Sequence, residues 1–190
     1  PTPSTSNTGT TNYYVSQTTG CESARAMIAV TVNAAPAAPT VTATASYCQN
    51  ATATQLSANG DNLKWYTQAT GGTSSATAPT PSTSNTGTTN YYVSQTAGCE
   101  SARAIIAVTV NAAPSAPTVT ATASYCQNAS ATQLTANGSN LKWYTQSTGG
   151  TSSNSAPTPS TSNTGTTNYY VSQTTGCESA RAMIAVTVNA

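Results

Sequence analysis

The chain contains no histidine and no phenylalanine, and it has only four acidic and five basic residues in 190 positions. Each shortage excludes a class of chemistry. Without imidazole there is no Ser-His-Asp triad and no histidine metal site, and four acids cannot furnish acid-rich Ca²⁺ cages. No catalytic activity, cofactor or metal is therefore expected. Charged residues make up 5% of the chain, against roughly 25% in an ordinary soluble domain. The net charge is +1, and the basic residues Arg25, Lys64, Arg103, Lys142 and Arg181 are evenly scattered. That is a poor footprint for nucleic acid. No apolar run approaches the roughly 20 residues needed to span a bilayer, so no membrane insertion is expected.

What the sequence has is repetition. Residues 1–34 recur at 79–112 and again at 157–190, the last copy identical to the first and the middle one differing only at Ala97 and Ile105. The intervening segment 35–78 returns at 113–156 with seven changes, nearly all among small or polar residues. The offset is 78 residues throughout, as in Cys21, Cys99 and Cys177, Cys48 and Cys126, or Trp65 and Trp143. A unit of this length is too long for a solenoid turn and suits a small β-sandwich domain. The stretches NAAPAAP (33–39) and NAAPSAP (111–117) read as linkers, because proline cannot donate to a ladder and stiffens the chain. The frame is then a partial domain at 1–34 and whole domains at 37–112 and 115–190. A cut near 71–88 would sever a strand from its expected partners. Because the chain opens at Pro1 inside a repeated motif, it reads as a segment of something longer.

Within residues 37–112 the pattern predicts an all-β fold. Val41 to Ala45 alternates with Thr42 and Thr44, and Thr54 to Ala58 carries Leu56 as its inward residue. Leu63 and Trp65 share a face, Asn90 to Gln95 holds Tyr91, Tyr92 and Val93, and Ala104, Ile106, Val108 and Val110 alternate inward along the last strand. Asn59-Gly60-Asp61-Asn62, Gly71-Gly72 and Ala97-Gly98 supply turn chemistry between them. Helical periodicity is missing, so the expectation is tandem β-sandwiches.

The order Y-C-Q-N, L-S-A-N-G, L-K-W-Y, T-G-G, T-N-Y-Y-V-S-Q, G-C-E-S-A-R and V-T-V (residues 47–110) resembles the immunoglobulin-like repeats of giant secreted and cell-surface proteins of Bacteroidota. These include type IX secretion substrates and the filamentous adhesins of gliding motility. The resemblance covers essentially the whole chain and brings no catalytic residues with it. It implies an extracellular stalk or fibre segment at the cell surface.

Five regularly spaced cysteines read as an oxidising compartment. No Cys-x-x-Cys pair occurs, which disfavours a metal site. Two pairings stand. One is within each domain, Cys48 with Cys99 and Cys126 with Cys177. The other joins Cys48 to Cys177 and leaves Cys99 and Cys126 to partners outside the segment. Immunoglobulin strand order slightly favours the second. It places the Cys48 corner and the Cys99 hairpin at opposite ends of a domain, roughly 15–20 Å apart, whereas a disulfide needs Cα atoms within about 7 Å.

Other features carry weaker expectations. Glu100 and Arg103 read as a solvated edge, and Lys64 as an exposed lysine that blocks edge pairing. Thr40, Thr42 and Thr44 form a short threonyl row. Tyr66, Tyr92 and Arg103 are candidates for weak glycan contact, with repetition serving avidity. The function expected first is a disulfide-stabilised rod whose partners are neighbouring repeats, with lateral self-association or surface polysaccharide as further partners. The alternative is a polysaccharide-binding repeat.

Overall fold

The computed structural model describes all 190 residues, and every regular element in it is a β-strand. The chain divides into two compact units whose limits do not follow the 78-residue repeat. The first comprises Pro1–Ala45, Thr54–Pro81 and Thr88–Val108; the second comprises Ser46–Ala53, Ser82–Gly87 and Thr109–Ala190. The segment carrying Cys48 thus belongs to the same unit as the whole of the later repeat.

In the second unit, a four-stranded sheet runs in the order Thr122–Cys126, Ala182–Asn189, Gly165–Ser172 and Lys142–Tyr144. The first pair is parallel and the other two are antiparallel. A short ribbon of Thr118–Val119 with Ala136–Asn137 supplies the facing layer. Alternation along the strands points Val171, Ile184 and Val186 inward, where they meet Leu134 and Trp143. Val119 and Ala136 of the ribbon pack against that cluster. The other whole repeat has the same four-strand order, Thr44–Cys48, Ala104–Asn111, Gly87–Ser94 and Lys64–Tyr66. There Ile106, Val108 and Val110 are buried while Ile105 faces solvent.

Two expected strands come out differently. The stretch from Val41 to Ala45 is not continuous: Thr40–Val41 pairs with Ala58–Asn59, and a separate strand begins at Thr44. Thr40 and Thr44 of the threonyl row therefore fall in different strands, with Thr42 in the break between them. Residues 54–57 form no strand, although Leu56 is buried as expected. The neighbouring chain explains this. Leu56 donates its N–H to the carbonyl of Pro79 at 3.0 Å, but proline has no N–H to return, so a two-way ladder cannot propagate.

Residues 1–34 form an antiparallel pair, Gly9–Val15 with Ala26–Val32, and a tight hairpin of Thr18–Thr19 with Cys21–Glu22. They carry no counterpart of the Lys64–Tyr66 strand.

Candidate functional site: a cysteine corner and a tyrosine–carboxylate cluster

The structure joins Cys48 to Cys177, with Cα atoms 5.7 Å apart across 129 residues of sequence. The within-repeat pairs Cys48–Cys99 and Cys126–Cys177 are not formed; Cys21, Cys99 and Cys126 are free. Cys48 closes strand Thr44–Cys48 and leads into a corner in which Asn50 takes a left-handed conformation at φ 63°. Asparagine tolerates that region better than most side chains. The corner is held from three sides. Gln49 N–H donates to the Asn111 carbonyl at 2.8 Å, Asn50 N–H to Thr83 at 2.9 Å, and Thr83 Oγ1 to the Ala51 carbonyl at 2.6 Å. Cys177 sits in the hairpin of Thr174–Thr175 with Cys177–Glu178 and is 3% exposed, with Sγ 3.9 Å from the Asn111 carbonyl oxygen. In the chain-entropy model, closing a loop of this size is worth about 5 kcal/mol.

Beside the equivalent hairpin in the first unit lies a polar cluster. Glu100 Oε1 accepts from the Tyr66 hydroxyl at 2.6 Å and from Ser94 Oγ at 2.7 Å, and Lys64 Nζ stands 3.7 Å from Oε2. Arg103 lies flat on the Tyr66 ring, 3.3 Å from its centroid, and its two terminal nitrogens donate to the carbonyls of Gln68 and Gly71 at 2.6 and 2.8 Å. A guanidinium on a ring face gains from the aromatic quadrupole, and its planar fork suits two carbonyls at once. The Tyr66 and Ser94 hydroxyls hold the Glu100 carboxyl below the usual glutamate range, with Lys64 and Arg103 adding to the effect. The later repeat builds the same cluster. Glu178 accepts from Tyr144 at 2.6 Å and Ser172 at 2.7 Å, with Arg181 3.3 Å above the Tyr144 ring.

Glu100 stays exposed and Lys64 stands on an edge strand, as expected of a solvated edge; what the expectation lacked is that Lys64 is paired to Glu100 and that Arg103 stacks and bridges to a loop. Of the three glycan candidates, Tyr66 is 7% exposed with its hydroxyl and one face occupied, while Tyr92 pairs with it in the sheet and is half-buried. Each repeat also carries an open groove, about 360 Å³ where Trp65, Tyr66, Pro79 and Tyr91 line it and about 320 Å³ where Trp143, Tyr144, Pro157 and Tyr169 do. Sequence reasoning missed Ser94 and Gln95. The latter accepts from Asp61 N–H at 2.9 Å and donates to the Ala37 carbonyl at 2.8 Å, tying a strand end to the proline-rich linker. The recurring V-S-Q triplet was the available signal.

No group of three or more His, Cys, Asp or Glu side chains is placed to hold a metal ion. No helix is long and apolar enough to cross a membrane.

No curated protein matches the chain. Among solved structures, an endo-fucoidan hydrolase of glycoside hydrolase family 107 aligns over 98% of this chain and 35% of its own, at 14% identity and a TM-score of 0.26. Drosophila N-cadherin EC1-4 aligns over 95% of this chain and 58% of its own, at 11% identity and a TM-score of 0.24. The chain spans well under two thirds of either, and likeness at that level carries no argument about function. The family comparison is decisive by contrast. Residues 36–112 and 114–189 each match the model described as "Ig-like domain CHU_C associated", and the chain belongs to that family as a tandem array of immunoglobulin-like repeats.

Proposed function

We propose that this chain is a stalk segment of a large secreted or cell-surface protein of the Bacteroidota kind, exported by type IX secretion, in which repeats are riveted to one another by disulfides. The domain limits that serve this reading are 1–34, 37–112 and 115–190. The observation that carries it is the Cys48–Cys177 bridge, because its two cysteines lie in different family-matched segments. A disulfide inside a domain stabilises that domain. One between domains restricts the joint, which is what a mechanical spacer requires. The neutral, threonine-rich surface suits a spacer that resists nonspecific association, and near-identical repeats let length vary without altering the joint.

Pulling the chain from its two ends tests this reading. With the bridge intact, the segment between the cysteines, which stand 129 positions apart in sequence, is shielded from force. The oxidised chain is expected to release a correspondingly shorter contour length than the reduced one, and to keep the joint closed. Equal lengths in the two states would remove the mechanical argument. The repeated aromatic grooves favour one second reading, a weak polysaccharide-binding repeat. Retention of polysaccharide on the immobilised chain, lost on substitution of the groove tyrosine Tyr91→Ala, would support that reading over the spacer.

A further inference from the structure

Each whole repeat carries an asparagine–glycine step, Asn59-Gly60 in the first and Asn137-Gly138 in the second, and the sequence has no other. We propose that these two asparagines are sites of spontaneous deamidation, and that their conversion to isoaspartate releases the clamp between each repeat and its proline-rich linker.

Packing explains the glycine. Neither Gly60 nor Gly138 has a positive φ, so backbone conformation does not demand glycine at either place. Space does. A Cβ on Gly60 would stand 2.7 Å from Gln95 Oε1 and 3.1 Å from Leu63 Cδ2, and one on Gly138 would stand 2.9 Å from both Gln173 Oε1 and Leu141 Cδ2. These glutamine ends do not swing aside freely, because both polar atoms are engaged. Gln95 Oε1 accepts from Asp61 N–H at 2.9 Å while Nε2 donates to the Ala37 carbonyl at 2.8 Å. Gln173 does the same between Ser139 N–H at 2.9 Å and the Ser115 carbonyl at 2.7 Å. The clamp thus needs a residue without a side chain beneath it. That need puts an unshielded backbone nitrogen directly after an asparagine.

The asparagine is equally open. Asn59 and Asn137 are exposed, each is the last residue of a two-residue strand, and no hydrogen bond engages their side-chain amides. The other asparagines nearby differ. Asn62 and Asn140 donate to the Thr96 and Thr174 carbonyls at 3.2 and 3.0 Å and precede leucine. Asn111 donates to Ser46 Oγ and precedes alanine, as do Asn33 and the left-handed Asn50 and Asn128. Exposure, a free amide and a following glycine coincide only at Asn59 and Asn137.

The Gly60 nitrogen attacks Asn59 Cγ, and its proton leaves with the side-chain nitrogen as ammonia. A cyclic imide remains, and water opens it. Attack at Cγ returns an ordinary aspartate; attack at the main-chain carbonyl leaves Gly60 joined through Cγ, which is isoaspartate. One water is consumed and one ammonia released, with no change of oxidation state. In isoaspartate the backbone is longer by a methylene, inserted between the strand and the turn. Asp61 N–H is thereby moved off Gln95 Oε1, and Nε2 loses the restraint that aims it at Ala37. Each conversion also adds a negative charge to a chain whose net charge is only +1.

The proposal does not depend on the stalk reading. The intact oxidised chain is aged at mildly alkaline pH, then reduced and cut with trypsin, and its peptides are fragmented by electron transfer to tell isoaspartate from aspartate. The peptides 26–64 and 104–142 should gain acid at Asn59 and Asn137, while Asn33, Asn50, Asn62, Asn111, Asn128 and Asn140 keep their amides. Asn59→Gln, whose longer side chain disfavours ring closure, should abolish conversion in the first peptide and leave Asn137 converting as before, with far-ultraviolet circular dichroism unchanged. Elastase cuts after alanine and so reads the linkers. The aged chain should be cut within 33–39 and 111–117 sooner than the fresh one. Asn59→Asp, which adds the charge without lengthening the backbone, should leave 33–39 as resistant as in the fresh chain. Amides that persist at both sites after the urea-unfolded chain has converted would overturn the proposal, as would acid spread over the other asparagines. Conversion without faster cleavage, or equal cleavage of Asn59→Asp, would overturn release of the clamp by isoaspartate.

Discussion

Residues 1–34 and 157–190 have the same sequence and form the same hairpin, yet they occupy different environments. The register is identical: Tyr13 faces Ile28 and Val15 faces Ala26 in the first, Tyr169 faces Ile184 and Val171 faces Ala182 in the second. Burial is opposite. Val15 and Ile28 are each 54% exposed, whereas Val171 is 0% and Ile184 2% exposed. Cross-strand pairing is thus written within these 34 residues, and burial is written in the segment that each whole repeat adds. The charges tell the same story. In the first copy Arg25 pairs with Glu22 at 3.6 Å on an exposed surface. In the last, Arg181 lies on the Tyr144 ring and the Tyr144 hydroxyl donates to Glu178. One tyrosine from another strand turns a surface ion pair into a built cluster.

The sharpest way to break this comparison is to delete the same side chain in both places. Ile184→Ala removes a buried branched side chain and leaves a cavity between Trp143 and Val171, a change that typically costs about 2–5 kcal/mol. Ile28→Ala removes a side chain that is largely in water and should shift stability by no more than about 0.5 kcal/mol. Denaturant midpoints of the two variants measure the difference. Comparable losses would mean that residues 1–34 are buried in solution, and the contrast drawn above would fall.

The same contrast explains which parts of the molecule were legible in its sequence. The last strand of each repeat was readable because Ile106, Val108 and Val110 alternate with Ile105, Ala107 and Thr109, and the period of two fixes which face goes inward. The stretch around Leu56 was read as a strand because its apolar residue is correctly placed. The obstacle lies elsewhere in the chain, at Pro79, whose missing N–H interrupts a ladder that local pattern alone would extend. The polar cluster was not legible for a related reason. Glu100 and Arg103 stand three residues apart, a spacing that on a continuous strand puts them on opposite sides, whereas the strand ends at Glu100 and the next begins at Ala104. What organises them is Tyr66, some 34 residues earlier for Glu100, and pairing between strands cannot be inferred from spacing within one. The Cys48–Cys177 bridge lay between these cases. Strand order separates the two cysteines of one domain, but which sulfur lies within reach depends on a corner built by Asn50, Thr83 and Asn111.

A smaller effect isolates the tyrosine. Tyr144→Phe keeps the ring under Arg181 and removes only the hydroxyl donated to Glu178. Hydrogen bonds to charged groups are worth about 1.5–3 kcal/mol when buried, but this carboxylate is solvated on one side, so a loss of about 0.5–1 kcal/mol is expected. Residues 1–34 have no counterpart of this tyrosine, and Tyr14→Phe there, at an exposed position, should change nothing measurable. A double-mutant cycle of Tyr144→Phe with Glu178→Gln gives the pair its own value; zero coupling would show that the hydroxyl contributes only through its ring.

The smallest expected effect is a pH dependence, and its sign follows from the same cluster. Tyr144 first, then Ser172, with Lys142 and Arg181 beyond them, hold the Glu178 carboxyl below the usual glutamate range; burial opposes them without winning. The fold therefore favours the ionised form. The stability this contributes is complete above the unfolded glutamate value, near 4.3, and is lost as pH falls through the lowered folded value, because the unfolded chain takes up the proton first. Glu100, held down by Tyr66 and Ser94, acts in the same direction. Denaturation midpoints should accordingly fall as the pH drops below that range, and the double variant Glu100→Gln with Glu178→Gln should flatten the slope. If the slope survives in the double variant, the acid sensitivity arises outside the two clusters, and the tyrosine hydroxyls do not select the charged carboxylate.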